Sequence, residues 1–279
     1  MSTPAPRRLF AMDLDGTLLD REDGIHPRDA QAISAALEQG IVVTIATGRL
    51  TSRTHPTARR LKLDAPLICA DGGVRACSVT ERVLSRRPMS PAVTQHVLEL
   101  LCDAELSSFV FTHEAIHSCQ RGVAYHAFVR GWSNSIVTHA DICAASGQHV
   151  AEGAIMLVGM GDASAVDILQ AQIAALGVGL ELLSFDLGGA RVLRLMAEGT
   201  SKGAALRELS AELGVAPEHV AVVGDWYNDL SMFEVAAHAY AMPHAPRELM
   251  ALASHVLDAE APARGAIADA LAHWQNALS

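Results

Sequence analysis

Two aspartates, Asp13 and Asp15, stand two residues apart at the end of the short apolar run Leu9 to Leu14 and are followed by Gly16 and Thr17. One carboxylate of such a pair can attack phosphorus. Its neighbour can hand a proton to the leaving oxygen and later activate water. Gly16 lets the backbone turn tightly and present N–H groups to an anion. An Asp-Gly pair after a strand is also an ordinary acidic turn. The five-residue pattern Asp13 to Thr17, however, arises by chance in a chain of this size only on the order of a few times in a thousand.

Three further groups have matching chemistry. Thr47-Gly48-Arg49 follows the β-branched run Ile41 to Ala46, and a hydroxyl with open amides at a helix start can cradle a phosphoryl group. The same Thr could simply cap the helix. Lys202 lies just after Thr200-Ser201, where an ammonium can neutralise a phosphate and a carboxylate together. A solvated lysine is the ordinary alternative. Gly224-Asp225-Trp226-Tyr227-Asn228-Asp229 again ends an apolar run with two acids. Hard oxygen ligands there suit Mg²⁺, which takes one or two carboxylates and completes its shell with water and phosphate oxygens. Capping by Asn228 or Asp229 is compatible with that role.

The elements that must position these groups alternate. The pattern predicts a strand over Leu9 to Leu14, a helix over Pro27 to Gln39, a strand over Ile41 to Ala46, a helix over Leu50 to Leu61, and a short strand over Leu67 to Ala70. The turn Asp71-Gly72-Gly73 follows. From Arg191 the rhythm resumes, with a strand over Val192 to Met196, a helix over Ser201 to Leu213 and a strand over Val220 to Val223. Each chemical group falls at the mouth of a predicted strand or helix, where α/β sheets bind ligands. The expected architecture is an α/β, Rossmann-like, doubly wound parallel sheet. Residues 1–81 and 191–279 form that core, and 82–190 form an insert.

The chain has 279 residues, 50% of them hydrophobic, enough for a large core with one insert. Lys plus Arg number 21 against 31 Asp plus Glu, a formal charge of -10, which disfavours a nucleic-acid partner. An acidic protein that handles phosphate needs a local cation. Five cysteines in no paired spacing fit a reducing compartment. Polar residues lead from Met1 to Arg8, and no apolar run is long enough to span a bilayer, so a soluble, cytoplasmic protein with no membrane partner is expected.

With these motifs in place, the sequence resembles the haloacid dehalogenase superfamily, and within it the Cof-type (subclass IIB) phosphatases. The motifs that carry the likeness are Asp13 to Leu19, Ala46 to Arg49, Ser201 to Leu206, and Gly224-Asp225 with Asn228-Asp229. The resemblance implies an inserted α+β cap of the C2B type that sets substrate specificity. It implies that Asp13 forms an aspartyl-phosphate and that Asp15 is the general acid/base. Mg²⁺ would be held by the Asp13 side chain, the Asp15 main-chain carbonyl and Asp225, with Asp229 in support. Thr47 and Lys202 would hold the transferring phosphoryl group. Gly16, Gly48, Arg49, Asp71, Gly72 and Asn228 would border the substrate.

Three positions depart from the family's habit. Asp71 stands where Asn is usual, Trp226 and Tyr227 follow the fourth-motif Asp where a small residue is usual, and Met242-Pro243-His244-Ala245 replaces Met-Gly-Asn-Ala. The implied activity is Mg²⁺-dependent hydrolysis of small phosphorylated metabolites, such as a sugar phosphate or a phosphorylated cofactor, by a monomer or small homo-oligomer. A phosphomutase using the same aspartyl-phosphate is one alternative, and a non-catalytic phospholigand-binding protein is the other. His113, His117 and His126 match no common zinc spacing and are read as structural or solvent-facing, or as facing the substrate together with Arg121 and Arg130.

Overall fold

The structure, a computed structural model, describes residues 6–145 and 153–278. Residues 1–5, which open the polar stretch Met1 to Arg8, lie outside it. The chain divides into two compact units, one of Met1–Gly48, Thr54–Leu84 and Ser201–Ser279, the other of Arg49–Arg53 and Ser85–Thr200. Among the described residues no helix is long and apolar enough to cross a membrane.

In chain order the first unit opens with β1 (Leu9–Met12), α1 (Pro27–Glu38), β2 (Val42–Ile45), the part of α2 (Thr51–Arg60) from Thr54 onward, β3 (Leu67–Cys69) and β4 (Val74–Ala76). Pro27 at the first helical position presets φ for α1, and the His26 ring accepts the Arg28 N–H at its start. β5 (Val83–Arg86) leads into the second unit.

That unit holds α3 (Pro91–Asp103), β6 (Ser107–Phe111), β7 (Ile116–Ser118), α4 (His126–Val129), β8 (Ile136–Thr138), α5 (Ile142–Ala145), β9 (Met156–Gly161), α6 (Ala163–Ala175), β10 (Leu180–Leu187) and β11 (Ala190–Ala197). Its strands form a six-stranded sheet in the order β10-β11-β9-β6-β7-β8. Val97 and Leu101 of α3 and Val166, Leu169 and Ile173 of α6 pack with Val110, Leu157 and Leu195 of the sheet in a buried apolar cluster.

The predicted return to the core at Arg191 needs correction. Gly188 and Gly189, both at positive φ, make a two-residue hairpin. It folds β11 back on β10 in register Leu187↔Ala190, and β11 also pairs antiparallel with β9. The apolar run Val192 to Met196 therefore belongs to the insert's sheet, and the first unit resumes at Ser201. A buried strand looks the same in sequence whichever sheet it joins.

The chain then forms α7 (Lys202–Leu213), β12 (Val220–Gly224), α8 (Leu230–Phe233), β13 (His238–Ala241), α9 (Arg247–Leu252), β14 (His255–Val256), α10 (Ala261–Arg264) and α11 (Ala266–Ala277). Five strands make a wholly parallel sheet ordered β14-β13-β12-β1-β2. Side chains alternate across it. Leu9 and Ala11 pack with Leu206 and Leu209 of α7, whereas Phe10 meets Trp274 of α11, ring centroids 5.8 Å apart. Helices thus cover both faces, and burying each leucine or phenylalanine among these contributes about 1.5–3 kcal/mol.

Candidate active site

Parallel register assembles the site. Met12 is level with Val223 of β12 on one side and Ile45 of β2 on the other. Asp13, the next residue, donates its N–H to the Val223 carbonyl at 3.0 Å. Asp13, Asp225 and Thr47 therefore emerge side by side at the carboxyl ends of three neighbouring strands, and all three are buried. Thr47 is tied into the backbone: its N–H donates to Ile68, and its carbonyl accepts the Asp71 N–H at 2.9 Å.

Lys202 begins α7. The Ser201 hydroxyl caps that helix by accepting the Ala204 N–H at 3.1 Å. The Lys202 ammonium is wholly buried and lies 2.7 Å from Asp13 Oδ1 and 2.7 Å from Asp229 Oδ1, with Asp71 Oδ1 at 4.0 Å. Burial alone would lower its pKa, but Asp13, Asp229 and Asp71 win and hold it above the ordinary lysine range. Among the described residues, Asp13 Oδ2 accepts no hydrogen bond.

Asp229 uses both oxygens. Oδ1 takes Lys202, and Oδ2 accepts the N–H groups of Asp225 at 2.9 Å and Trp226 at 3.1 Å. Asp225 is held from two sides, by the Thr17 hydroxyl at 3.0 Å on Oδ1 and the His244 ring at 3.3 Å on Oδ2. Gly16, at φ 78°, lies against that carboxylate so closely that a Cβ there would collide with it.

Asp71 sits in an unusual backbone. Ala70 and Asp71 both have positive φ, 47° and 51°. Such a conformation costs on the order of 1–2 kcal/mol for an L-residue and is best tolerated by Asn or Asp. The Asn228 side-chain amide donates to Asp71 Oδ1 at 2.8 Å. Gly48 lies beside the same carboxylate, and Gly72 packs against the Ser201 carbonyl.

Three carboxylates, of Asp13, Asp71 and Asp229, thus gather around a single ammonium, and Asp225 lies beside Asp13 and Asp229. Burial pushes the Asp13 carboxyl up from the ordinary range, against Lys202, with help from Asp229 and Asp225. Burial also pushes Asp229 up. Oxygens of Asp13, Asp225 and Asp229 lie within 4.8 Å of one another, the one acid, His or Cys grouping with metal-site geometry among the described residues. An all-carboxylate donor set with excess negative charge fits a hard divalent cation.

Most of the predicted residues are therefore brought together. Asp15 is the exception among the acids: it is exposed, and its side chain is not part of the buried cluster. Arg49 is buried but groups with the second unit. Thr17 and Ser231, whose hydroxyl accepts the Gly203 N–H at 3.0 Å, were given no role from sequence. Thr17 had a signal, as the last residue of its motif. Ser231 had none. The insert's histidines go to separate partners: His113 to Arg86, His117 to His139 and His126 to Ser118.

Comparison with known proteins agrees with this picture. A phosphatase of Bacillus subtilis for 5-amino-6-(5-phospho-D-ribitylamino)uracil is 27% identical over 266 residues, spanning 87% of this chain and 90% of that protein. The pyridoxal phosphate phosphatase of Escherichia coli is 26% identical over 90% of this chain and 93% of its own. An HMP-PP phosphatase of Cronobacter sakazakii is 26% identical over 96% of this chain and 95% of its own. In fold, a phosphatase of the superfamily from Bacteroides thetaiotaomicron superposes with a TM-score of 0.81 at 20% identity, covering 99% of this chain and 98% of that one. A subclass IIB sugar phosphatase gives 0.79 at 21% identity, over 96% of this chain and 99% of its own. The model of the haloacid dehalogenase-like hydrolases matches residues 10–271, so the chain belongs to that family.

Proposed function

We propose that the protein is a Mg²⁺-dependent phosphatase of small phosphorylated metabolites that works through an aspartyl-phosphate on Asp13. The observation that carries this reading is the buried Lys202 ammonium, 2.7 Å from both Asp13 and Asp229. It fixes one oxygen of Asp13 and leaves the other to attack. Asp13 and Asp225, with the Asp15 main-chain carbonyl and Asp229 in support, would hold Mg²⁺. That ion would offset the negative charge of the phosphoryl group and of the carboxylates around it.

Asp13 Oδ2 forms a bond to phosphorus as the bond to the leaving oxygen breaks, and Asp15 donates a proton to that oxygen. Asp15 then takes a proton from water. The hydroxide so formed displaces Asp13 and releases inorganic phosphate. Thr47 and Lys202 hold the phosphoryl oxygens throughout, positioning and charge being the main needs of phosphoryl transfer. Gly16, Gly48, Asp71, Gly72 and Asn228, all in the first unit, would border the substrate.

The substrate class we favour is a phosphorylated nitrogen heterocycle. Three similar proteins are phosphatases for a ribitylaminouracil phosphate, pyridoxal phosphate and HMP-PP. In this chain Trp226, immediately after Asp225, is 39% exposed and meets Tyr227 edge to face at 5.4 Å. An exposed indole at that point can stack on a planar leaving group.

The test is phosphate release from sugar phosphates, nucleotides, pyridoxal phosphate and a chromogenic ester, with Mg²⁺ or EDTA. Release that needs Mg²⁺ and is lost in Asp13→Asn supports the reading. An isomeric ester formed without release, or no turnover of any ester, overturns it.

A further inference from the structure

The second unit contains a pair of sulfurs that phosphate chemistry does not use. Cys102 lies in the last turn of α3, and Cys143 lies in α5. Their Sγ atoms are 2.7 Å apart, well inside the contact distance of two unbonded sulfurs, although the residues are 41 positions apart in sequence. Both side chains are half-buried, and all five cysteines are unbridged. The placement is anchored by neighbouring groups. Ile142, next to Cys143, is buried in the insert's apolar cluster with Leu98 and Leu101 of α3. The Cys143 thiol also faces the Leu98 carbonyl at 3.7 Å, and Gln95 of α3 reaches the Cys143 carbonyl at 3.4 Å.

We propose that Cys102 and Cys143 are an oxidisable pair that closes to a reversible disulfide in the presence of a peroxide or a low-molecular-weight disulfide. A bond needs the sulfurs only to shorten their separation to about 2.05 Å. With hydrogen peroxide, one thiolate attacks oxygen, the O–O bond breaks, and a sulfenic acid and a water result after proton transfer. The second thiol then displaces the hydroxyl of the sulfenic acid as a second water, forming the S–S bond. Two thiols lose two electrons and two protons, and the peroxide is reduced to two waters.

The remaining cysteines supply controls. Burial pushes Cys143 up to about 12 and pushes Cys102 up as well, so the pair reacts more slowly than an activated cysteine. The Cys77 thiol is pulled below its ordinary range by hydrogen bonds from Thr80 and Val79, so it takes up reagent first but has no thiol placed to resolve the adduct. Cys119 packs against the same apolar cluster as the pair, and its sulfur accepts the Ser108 N–H at 3.2 Å. Closure of the pair would staple α3 to α5 around β6, β7 and β8, and a cross-link of that kind restricts the unfolded chain.

The experiment treats the full chain with hydrogen peroxide and, separately, with oxidised glutathione, then maps cysteines by differential alkylation and peptide mass spectrometry. The expected result is a Cys102–Cys143 peptide about 2 Da lighter than the sum of its thiol parts in most molecules. Dithiothreitol should reverse it, and the oxidised protein should melt at higher temperature. In Cys143→Ser, checked for native melting before treatment, the cross-link should vanish, and Cys102 should carry glutathione after oxidised glutathione and a sulfenic acid after peroxide. Cys102 and Cys143 both remaining alkylatable while Cys77 is modified would overturn the proposal. A cross-link through Cys119 would overturn it equally.

Discussion

The Asn228 amide donates to Asp71 Oδ1 at 2.8 Å, so the acid at this unusual position is held by a neutral partner, with Lys202 4.0 Å away. A carboxylate there adds negative charge where a phosphate is proposed to bind. In Asp71→Asn, the acceptor oxygen and the tolerance for positive φ survive while the charge goes. We expect KM for phosphate esters to fall several-fold, on the order of 1 kcal/mol, with kcat kept. Steady-state kinetics at saturating Mg²⁺ measure this, and Asp71→Ala should show no such gain.

Lys202→Met removes the one ammonium among three buried carboxylates. Stability should drop by about 3–5 kcal/mol in metal-free protein, and turnover by at least about a hundredfold. Lys202→Arg should not restore turnover, because a fully buried site has no space for the larger guanidinium. Denaturant melts and single-turnover rates are the readouts. A Lys202→Met protein as stable and active as the native one would contradict the assigned charge balance.

Thr17 supports Asp225 with a single hydroxyl at 3.0 Å. Thr17→Val keeps the shape and loses that bond, so Mg²⁺ affinity should weaken by about 10–100-fold. Calorimetric titration with Mg²⁺ reads this directly. Thr17→Ser, which retains the hydroxyl, should bind nearly as the native chain does.

Asp29 gives a pH signature away from the catalytic residues. It is buried in α1 and accepts the Ala268 N–H of α11 at 2.8 Å, and burial raises its pKa from the ordinary 3.8. The native state therefore holds this proton to higher pH than the unfolded chain does. The resulting loss of stability begins as pH rises past 3.8 and is complete above the raised pKa. Asp29→Asn, neutral throughout, should gain on the native protein across that interval and hold the gain up to neutral pH. Melting temperatures from pH 3 upward check the sign.

Trp226→Ala should discriminate among substrates. Loss of a stacking surface worth about 0.5–1.5 kcal/mol should raise KM for pyridoxal phosphate about 2–10-fold and leave glycerol phosphate unchanged. Equal effects on both esters would assign Trp226 to loop structure instead.

Much of the first unit was legible because its rules are local. Alternation of short buried runs with capped helices marked β1, α1, β2, α7 and β12, and each group of acids fell one residue past a strand, where parallel register sets Asp13 beside Asp225. The assignment of β11 was not legible, since Val192 to Met196 reads as a buried strand in either sheet and only the Gly188-Gly189 hairpin decides. Lys202 could be placed at a helix start, but its complete burial between Asp13 and Asp229 depends on contacts 189 and 27 residues away in sequence. The meeting of Cys102 with Cys143 is likewise a product of tertiary packing, invisible to spacing.

Asp229 has a consequence of its own. One of its oxygens holds Lys202, and the other holds the backbone of the loop that presents Asp225. A phosphate that draws the ammonium toward itself would therefore act, through one carboxylate, on the segment that carries the proposed cation ligand Asp225. On the proposed mechanism, phosphate and cation occupancy are therefore expected to be linked, each changing the other's affinity by the same factor. The link between the two runs through a single side chain.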